Sequence, residues 1–240
     1  IEDPYEKGKY HPRTSAQFTY TYRYLTDYER WTFDRLYNDF FYHRHNDFWY
    51  GKAMWKLPPL IDSTDMLTCA EDLGMIPDCV PAVMNALEIL TLDIARMPKN
   101  PREEFGNPAY YPYLTVCTTS THDMGGIRQW WEENRDKTQR FFNNMLGEHG
   151  AAPTFAEPWI CEKIVASNLH SPAMLCILPL QDWLSIDGKV RRADPREEQI
   201  NVPANSRHYW RYRMHLTLED LLGETLLNRR IKSLVDDSGR

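Results

Sequence analysis

Apolar positions along this chain fall into blocks with two different periods. Residues 1–26 hold Pro4, Gly8 and Pro12 among polar neighbours and keep no period, so they read as an irregular leading segment. From Asp27 onward, Trp31, Phe33, Leu36, Tyr37, Phe40 and Phe41 recur at helical spacing, which predicts a helix over 27–49 with Asp27 as its cap. Pro58-Pro59 is expected to break it. Short apolar runs without polar alternation then appear at Met66–Ala70, Leu90–Ala95, Leu114–Thr118 and Met174–Leu178. Runs of that kind are how strands buried on both faces of a parallel sheet read. Helical patterns separate them: 78–88 with Asp78 as cap and Pro81 in the first turn, a segment after Gly125-Gly126 led by Ile127, Trp130 and Trp131, another at 137–146, and one opened by Glu157-Pro158. In that last helix Trp159, Ile160, Ile164, Val165 and Leu169 form the apolar stripe. A long loop is expected from Pro98 to Pro112, and a final helical stretch over 217–235. Strand and helix in repeated alternation predict an α/β fold with a parallel sheet.

Composition narrows the function classes. The chain has 240 residues, 42% hydrophobic and 26% charged, an ordinary globular balance. Its length also matches a complete (β/α)8 barrel of about 250 residues. Lys and Arg number 28 against 34 Asp and Glu, so nucleic acid is not an expected partner. Lys189, Arg191, Arg192 and Arg196 are interleaved with acids and read as a solvated polar loop. No apolar run approaches the roughly 20 residues that cross a bilayer, so no membrane is expected either. Five cysteines without a C-x-x-C pair read as reduced, buried thiols of a cytoplasmic protein. His43 and His45 with Asp47 are a poor metal set, because residues two apart on a helix face different ways, and no cofactor is expected. Aromatics reach 13%, with 8 Trp and 14 Tyr. Most should pack in a core, but aromatic rings also stack on the apolar faces of sugars.

Three strand ends carry the candidate chemistry. Cys69-Ala70 runs into Glu71-Asp72, Thr119-Ser-Thr121 into His122-Asp123, and Leu178-Pro-Leu180 into Gln181-Asp182. In a parallel barrel the C-terminal ends of the strands form the active face. Carboxylates from different strand ends can converge there on one bond, as glycoside chemistry requires. Asp72 and Asp182 have an equally good reading as caps of the helices that follow them.

The strings Ala70-Glu-Asp-Leu-Gly74, Ser120-Thr-His-Asp123 and Pro179-Leu-Gln-Asp182, in this order, resemble the 4-α-glucanotransferases (amylomaltases) of glycoside hydrolase family 77. Cys69–Pro77, Phe105–Tyr113 and His208–Arg213 are more similar to the plant cytosolic disproportionating-enzyme branch, which also has bacterial members. The resemblance runs from about residue 30 to residue 225. It implies a (β/α)8 catalytic barrel and retaining transfer between α-1,4-glucans, with maltose, maltooligosaccharides or glycogen-like glucans as partners. It implies that Glu71 is the general acid/base and Asp123 the transition-state stabiliser. It also implies that His122 binds the donor sugar and that Asn201 and Trp210 line the sugar site. Trp49, Trp55, Tyr110 and Tyr111 are further platform candidates.

The family's nucleophile lies in a motif close to Arg-Ile-Asp-His, and no such string occurs in this sequence. The chain is therefore expected to be a C-terminal fragment lacking the N-terminal half of the barrel. Residues 1–26 would lead in, 27–185 would supply barrel strands and helices, and 186–240 a loop and a helical C-terminal extension. Such a piece is expected to be inactive alone. The alternative is a non-catalytic α-glucan-binding module.

Overall fold

The structure is a computed structural model that describes residues 1–74 and 76–240. It divides into two compact units. The first comprises Ile1–Thr68 and the segment up to Ile89 that follows Met75. The second comprises Cys69–Gly74 and Leu90–Arg240.

The first unit is helical. After a short turn of helix, α1 (Tyr20–Arg23), it holds α2 (Asp27–Asn38), a π-helical stretch at Asp39–Arg44, α3 (His45–Ile61) and α4 (Val80–Ala86). The predicted helix thus continues twelve residues past 49, from Asp27 through Ile61. Its cap is Thr26 and not Asp27. The Thr26 hydroxyl accepts from the Glu29 amide, and Glu29 reaches back to the Thr26 amide at 2.7 Å. That reciprocal pair satisfies two free helix-end donors, which an Asp already inside the helix cannot do. Pro58 and Pro59 do not break α3 but sit in its last turn. Their missing N–H groups leave the Met54 and Trp55 carbonyls without helical donors, and no residue of α3 is buried, so water can take those carbonyls. Asp78 likewise caps nothing, because α4 begins after Cys79. The expected apolar stripe of α2 buries only Tyr37, while Trp31 and Leu36 are more than half exposed.

The second unit carries the sheet. β1 (Thr91–Asp93), β2 (Thr115–Cys117) and β3 (Leu175–Cys176) pair in parallel, in chain order. The expected strand at 66–70 is reduced to one parallel bridge, Cys69 to Leu90, closed by the Ala70 amide on the Leu90 carbonyl at 2.8 Å. Four parallel segments therefore lie side by side with their C-terminal ends on one edge.

Helices α5 (Ile127–Glu133), α6 (Arg135–Asn144), α7 (Pro158–Leu169), α8 (Leu180–Leu184), α9 (Leu218–Gly223) and α10 (Thr225–Asp237) complete the unit. Its core is aromatic and aliphatic. Trp131, Ile160, Val165 and Leu184 are essentially inaccessible. Phe105, Trp130 and Phe141 meet edge to face with centroids 5.0–6.5 Å apart. Burial of one such ring stabilises by about 1.5–3 kcal/mol. Trp159, expected in the stripe of α7, is instead 42% exposed and lies against Phe142. Leu227 and Leu234 of α10 join this core, and Arg230 pairs with Glu162 of α7 across the helix contact.

The five cysteines are free, but Cys69 is exposed and so departs from the expected buried set. Cys117 faces Cys176 in the β2–β3 register. The Cys176 thiol, with Ser171 beside it, holds Cys117 down to about 7. Among the described residues no helix is long and apolar enough to cross a membrane.

Candidate active site

Two kinds of carboxylate stand at the C-terminal edge of the sheet. Asp72 and Asp182 are buried, with 6% and 2% of their surface accessible. Glu71 and Asp123 are exposed. The difference follows from what each one holds.

Asp72 accepts from the Leu92 amide of β1 at 2.9 Å and pairs with Lys99 at 2.9 Å. Lys99 also lies 3.4 Å from Asp93, whose carboxylate takes the Thr115 hydroxyl of β2 at 2.6 Å. Asp72 therefore closes the edge of β1 and does not cap the next helix. Its neighbour Glu71 is fixed through the backbone, while the Glu71 side chain accepts one bond, from the Leu73 amide at 2.8 Å. One oxygen of Glu71 is thus engaged and the carboxyl stays in reach of solvent.

Asp182 lies inside α8 and does not cap it either. It accepts from the hydroxyls of Thr119 and Ser120, each at 2.6 Å, and from the Ile127 amide at 2.8 Å. It therefore caps α5, an element far from it in sequence. Gly126 has to be small here. A Cβ at this position would stand 2.8 Å from Asp182 Oδ1. The carboxylate is held by three hydrogen bonds and has nowhere to move. Gly126→Ala is expected to destabilise by about 1–3 kcal/mol, read as a lower urea midpoint. Gly125→Ala should cost less, because its Cβ would meet the flexible end of Gln129. Equal midpoints for Gly126→Ala and the unaltered chain would show that Asp182 yields.

The loop between these anchors presents His122 and Asp123. Asn201 Nδ2 donates to Asp123 Oδ1 at 2.7 Å. His122 Nε2 lies 3.4 Å from the same oxygen. The His122 ring meets Trp210, with centroids 5.2 Å apart. Four of the five sequence-derived site residues are thus brought together, although nearly 80 positions separate Asp123 from Asn201. Trp210 is 58% exposed and presents a ring to solvent. Asn201 is almost fully buried and is itself placed by a relay. Gln129 of α5 donates to Gln199 at 2.8 Å, and Gln199 donates to the Asn201 carbonyl at 2.9 Å. Glu71 follows the Cys69 bridge segment, which lies two strand positions from β2, the strand that leads into Asp123.

Of the other platform candidates, Tyr110 is exposed and Tyr111 is not. Tyr111 packs with Cys117 and Ala173, and burial pushes its phenol pKa up. It is a core residue. Trp49 and Trp55 are exposed on α3, in the other unit. In the basic cluster Lys189 and Arg196 are exposed as expected, whereas Arg191 and Arg192 are partly buried. Arg191 donates to the Ala156 carbonyl at 2.6 Å, Arg192 to Glu197 and to the Arg213 carbonyl, and Arg196 pairs with Asp194. Sequence reasoning missed Arg128 and Gln129 of α5, whose polar character inside an apolar helix face was the available signal.

The fold and this edge define a parallel α/β protein whose polar loops gather at the C-terminal ends of its strands, where enzymes of that class work. The chain belongs to the 4-alpha-glucanotransferase family, glycoside hydrolase family 77, whose model matches residues 19–218. It is 40% identical over 240 residues to the 4-alpha-glucanotransferase DPE2 of Oryza sativa subsp. japonica, covering all of this chain and 25% of that protein. It is 28% identical over 191 residues to the 4-alpha-glucanotransferase of Chlamydia trachomatis serovar D, covering 74% of this chain and 34% of that one. The amylomaltase from Streptococcus agalactiae, solved in complex with acarbose, shares the fold. Its TM-score is 0.55 at 20% identity, over 72% of this chain and 32% of that chain. This chain thus spans between a quarter and about a third of the length of these relatives.

Proposed function

We propose that this chain supplies the acid/base and the transition-state-stabilising carboxylate of a retaining 4-α-glucanotransferase. Its substrates are maltose, maltooligosaccharides or glycogen-like α-1,4-glucans, and its place is the cytoplasm. Its sheet and helices form the C-terminal half of a (β/α)8 barrel, and the remaining half supplies the nucleophilic Asp. The observation that carries this reading is the cluster of Asp123, His122, Asn201 and Trp210 at the strand edge that also bears Glu71.

In the first displacement Glu71 gives its proton to the glycosidic oxygen, and the departing chain leaves as a neutral alcohol. The nucleophilic Asp attacks the anomeric carbon from the opposite face and forms a covalent glycosyl ester. Asp123 faces the positive charge that develops on the ring. Its Oδ1 is taken by Asn201, and its Oδ2 has no protein partner among the described residues, so that oxygen is free for a sugar hydroxyl. His122 donates to the donor sugar, and the Trp210 ring offers a flat apolar face to a neighbouring one. In the second displacement the Glu71 carboxylate takes the proton of an acceptor 4-hydroxyl, which attacks the anomeric carbon and releases the nucleophilic Asp with net retention. Transfer exceeds hydrolysis when a bound acceptor excludes water from that face.

A nucleophile is indispensable to this route, so this chain alone is expected to leave maltotriose unchanged, whereas the full-length protein converts it into a ladder of shorter and longer glucans. Product sizes read by chromatography decide the matter. A ladder formed by this chain alone would overturn the assignment of the nucleophile to another segment.

A further inference from the structure

The loop that bears His122 and Asp123 is held at both of its ends by a single side chain. Asp182 takes the Thr119 and Ser120 hydroxyls on the way into the loop and the Ile127 amide on the way out. All three of Thr119, Ser120 and Asp182 are at least 95% buried, so neither substrate nor solvent competes for these bonds. The exit is gripped a second time. The Arg96 guanidinium donates to the carbonyls of Gly125 and Gly126. Arg96 therefore takes the loop's acceptors while Asp182 takes its donors. The bare Cα of Gly126 lets Asp182 come this close. Between the two grips, Asp123 and His122 are exposed, and their side chains have few bonds of their own.

We propose that Asp182 is a positioning residue for the transfer reaction: by clasping both ends of the 119–127 loop it fixes where Asp123 and His122 stand against the sugar ring. This rests on Asp123 being the stabilising carboxylate. The interaction energy of a carboxylate with a developing charge falls with distance, and the transition state demands it at one place. A loop released at its hinges leaves Trp210, which lies outside it, to bind sugar, but Asp123 and His122 wander from their places. A displacement of about 1 Å can cost up to roughly 100-fold in rate. Release of the clasp therefore lowers kcat and leaves KM nearly unchanged, the signature of an interaction made in the transition state.

The hydroxyl of Thr119 allows the test without creating a buried unpaired charge. In the full-length enzyme, Thr119→Val keeps the shape and removes the hydroxyl, and Thr119→Ser keeps the hydroxyl and removes a methyl group. Thr119→Val is expected to lower kcat about 10-fold or more at temperatures well below melting, with KM unchanged. Thr119→Ser is expected to recover most of the lost kcat. Asp182→Asn should lower kcat at least as far, and its combination with Thr119→Val should fall short of the product of the two effects. Wild-type kcat in Thr119→Val, or an equal loss in Thr119→Ser, overturns the proposal and leaves Asp182 a packing residue. Absence of transfer in the unaltered full-length enzyme is a separate result and refutes the glucanotransferase reading. The clasp is then judged by amide hydrogen exchange in this chain. Faster exchange over 121–125 in Thr119→Val upholds it, and unchanged protection removes it.

Discussion

Glu71→Gln is expected to lower the turnover of the full-length transferase roughly 10²- to 10⁴-fold, the span attributed to a positioned general acid or base. Gln has the shape of Glu but no proton to give to a leaving glycosidic oxygen and no basicity to take one from an acceptor. The fold should not notice the change. Glu71 is exposed and accepts one internal bond, from the Leu73 amide, which a Gln carbonyl accepts equally well. Thermal unfolding of the variant should therefore overlay that of the unaltered protein. A donor with a leaving group that needs no proton, such as α-maltosyl fluoride, separates the two roles. With it the first displacement should recover and the second should stay slow, so the covalent intermediate accumulates and is seen by mass spectrometry. Near-normal turnover on maltotriose would remove Glu71 from the mechanism.

Arg128→Met is expected to have the largest effect on stability, about 3–5 kcal/mol, the usual result of removing one partner from a buried ion pair. Arg128 Nη1 lies 3.1 Å from Glu198 Oε1, and both side chains are more than 90% shielded. The guanidinium also donates to the carbonyls of Arg192 and Ala193, at 2.7 and 3.2 Å. Met fills the space but leaves Glu198 without its counter-charge and removes the guanidinium donors from two carbonyls. Burial already pushes the Glu198 pKa above its ordinary 4.5, against the pull of Arg128. Without Arg128 it rises further. A raised acid holds its proton more tightly when folded, so stability falls as pH climbs from about 4.5 through the raised value. The deficit of Arg128→Met should accordingly be smaller near pH 4.5 than near pH 8. Adding Glu198→Gln should recover part of it, since a neutral amide costs less to bury. Urea midpoints at the two pH values test both statements. An unaltered midpoint in Arg128→Met at pH 8 would mean that the pair carries no net stability.

The same pair bears on the site. Arg128 fastens the 192–193 backbone to α5, and the next residue, Gln129, begins the relay through Gln199 and Asn201 to Asp123. A packing defect at α5 therefore has a direct route to the exposed carboxylate.

Much of the second unit was legible in the chain. The apolar runs at 90–95, 114–118 and 174–178 each contain one parallel strand, and the helices after Gly126 and Glu157 begin where their residues predict. Those signals are local, because a doubly buried strand and a capped helix write their needs into neighbouring residues. The first unit was less legible. Its helix outran the prolines at 58–59, and only Tyr37 of its apolar stripe is buried. Helical period records which residues share a face, not what covers that face.

The site shows the same division. Sequence alone placed acids at the ends of strands and, through their motifs, singled out Glu71, Asp123, His122, Asn201 and Trp210. Apart from that resemblance, residue type did not distinguish the carboxylates that hold the loops from those left free, because Glu71-Asp72 and the pair Asp123 and Asp182 are chemically alike on paper. Tertiary structure decided that. Asp72 and Asp182 are surrounded by donors from β1, the 119–120 hydroxyls and α5, groups up to 63 positions away, and burial with a full set of partners makes them anchors. Glu71 and Asp123 remain in contact with solvent, where a carboxyl can exchange a proton or meet a sugar. Residue type is written in the chain, but whether a charge is satisfied by the protein or left for a ligand depends on which distant donors the fold delivers to it.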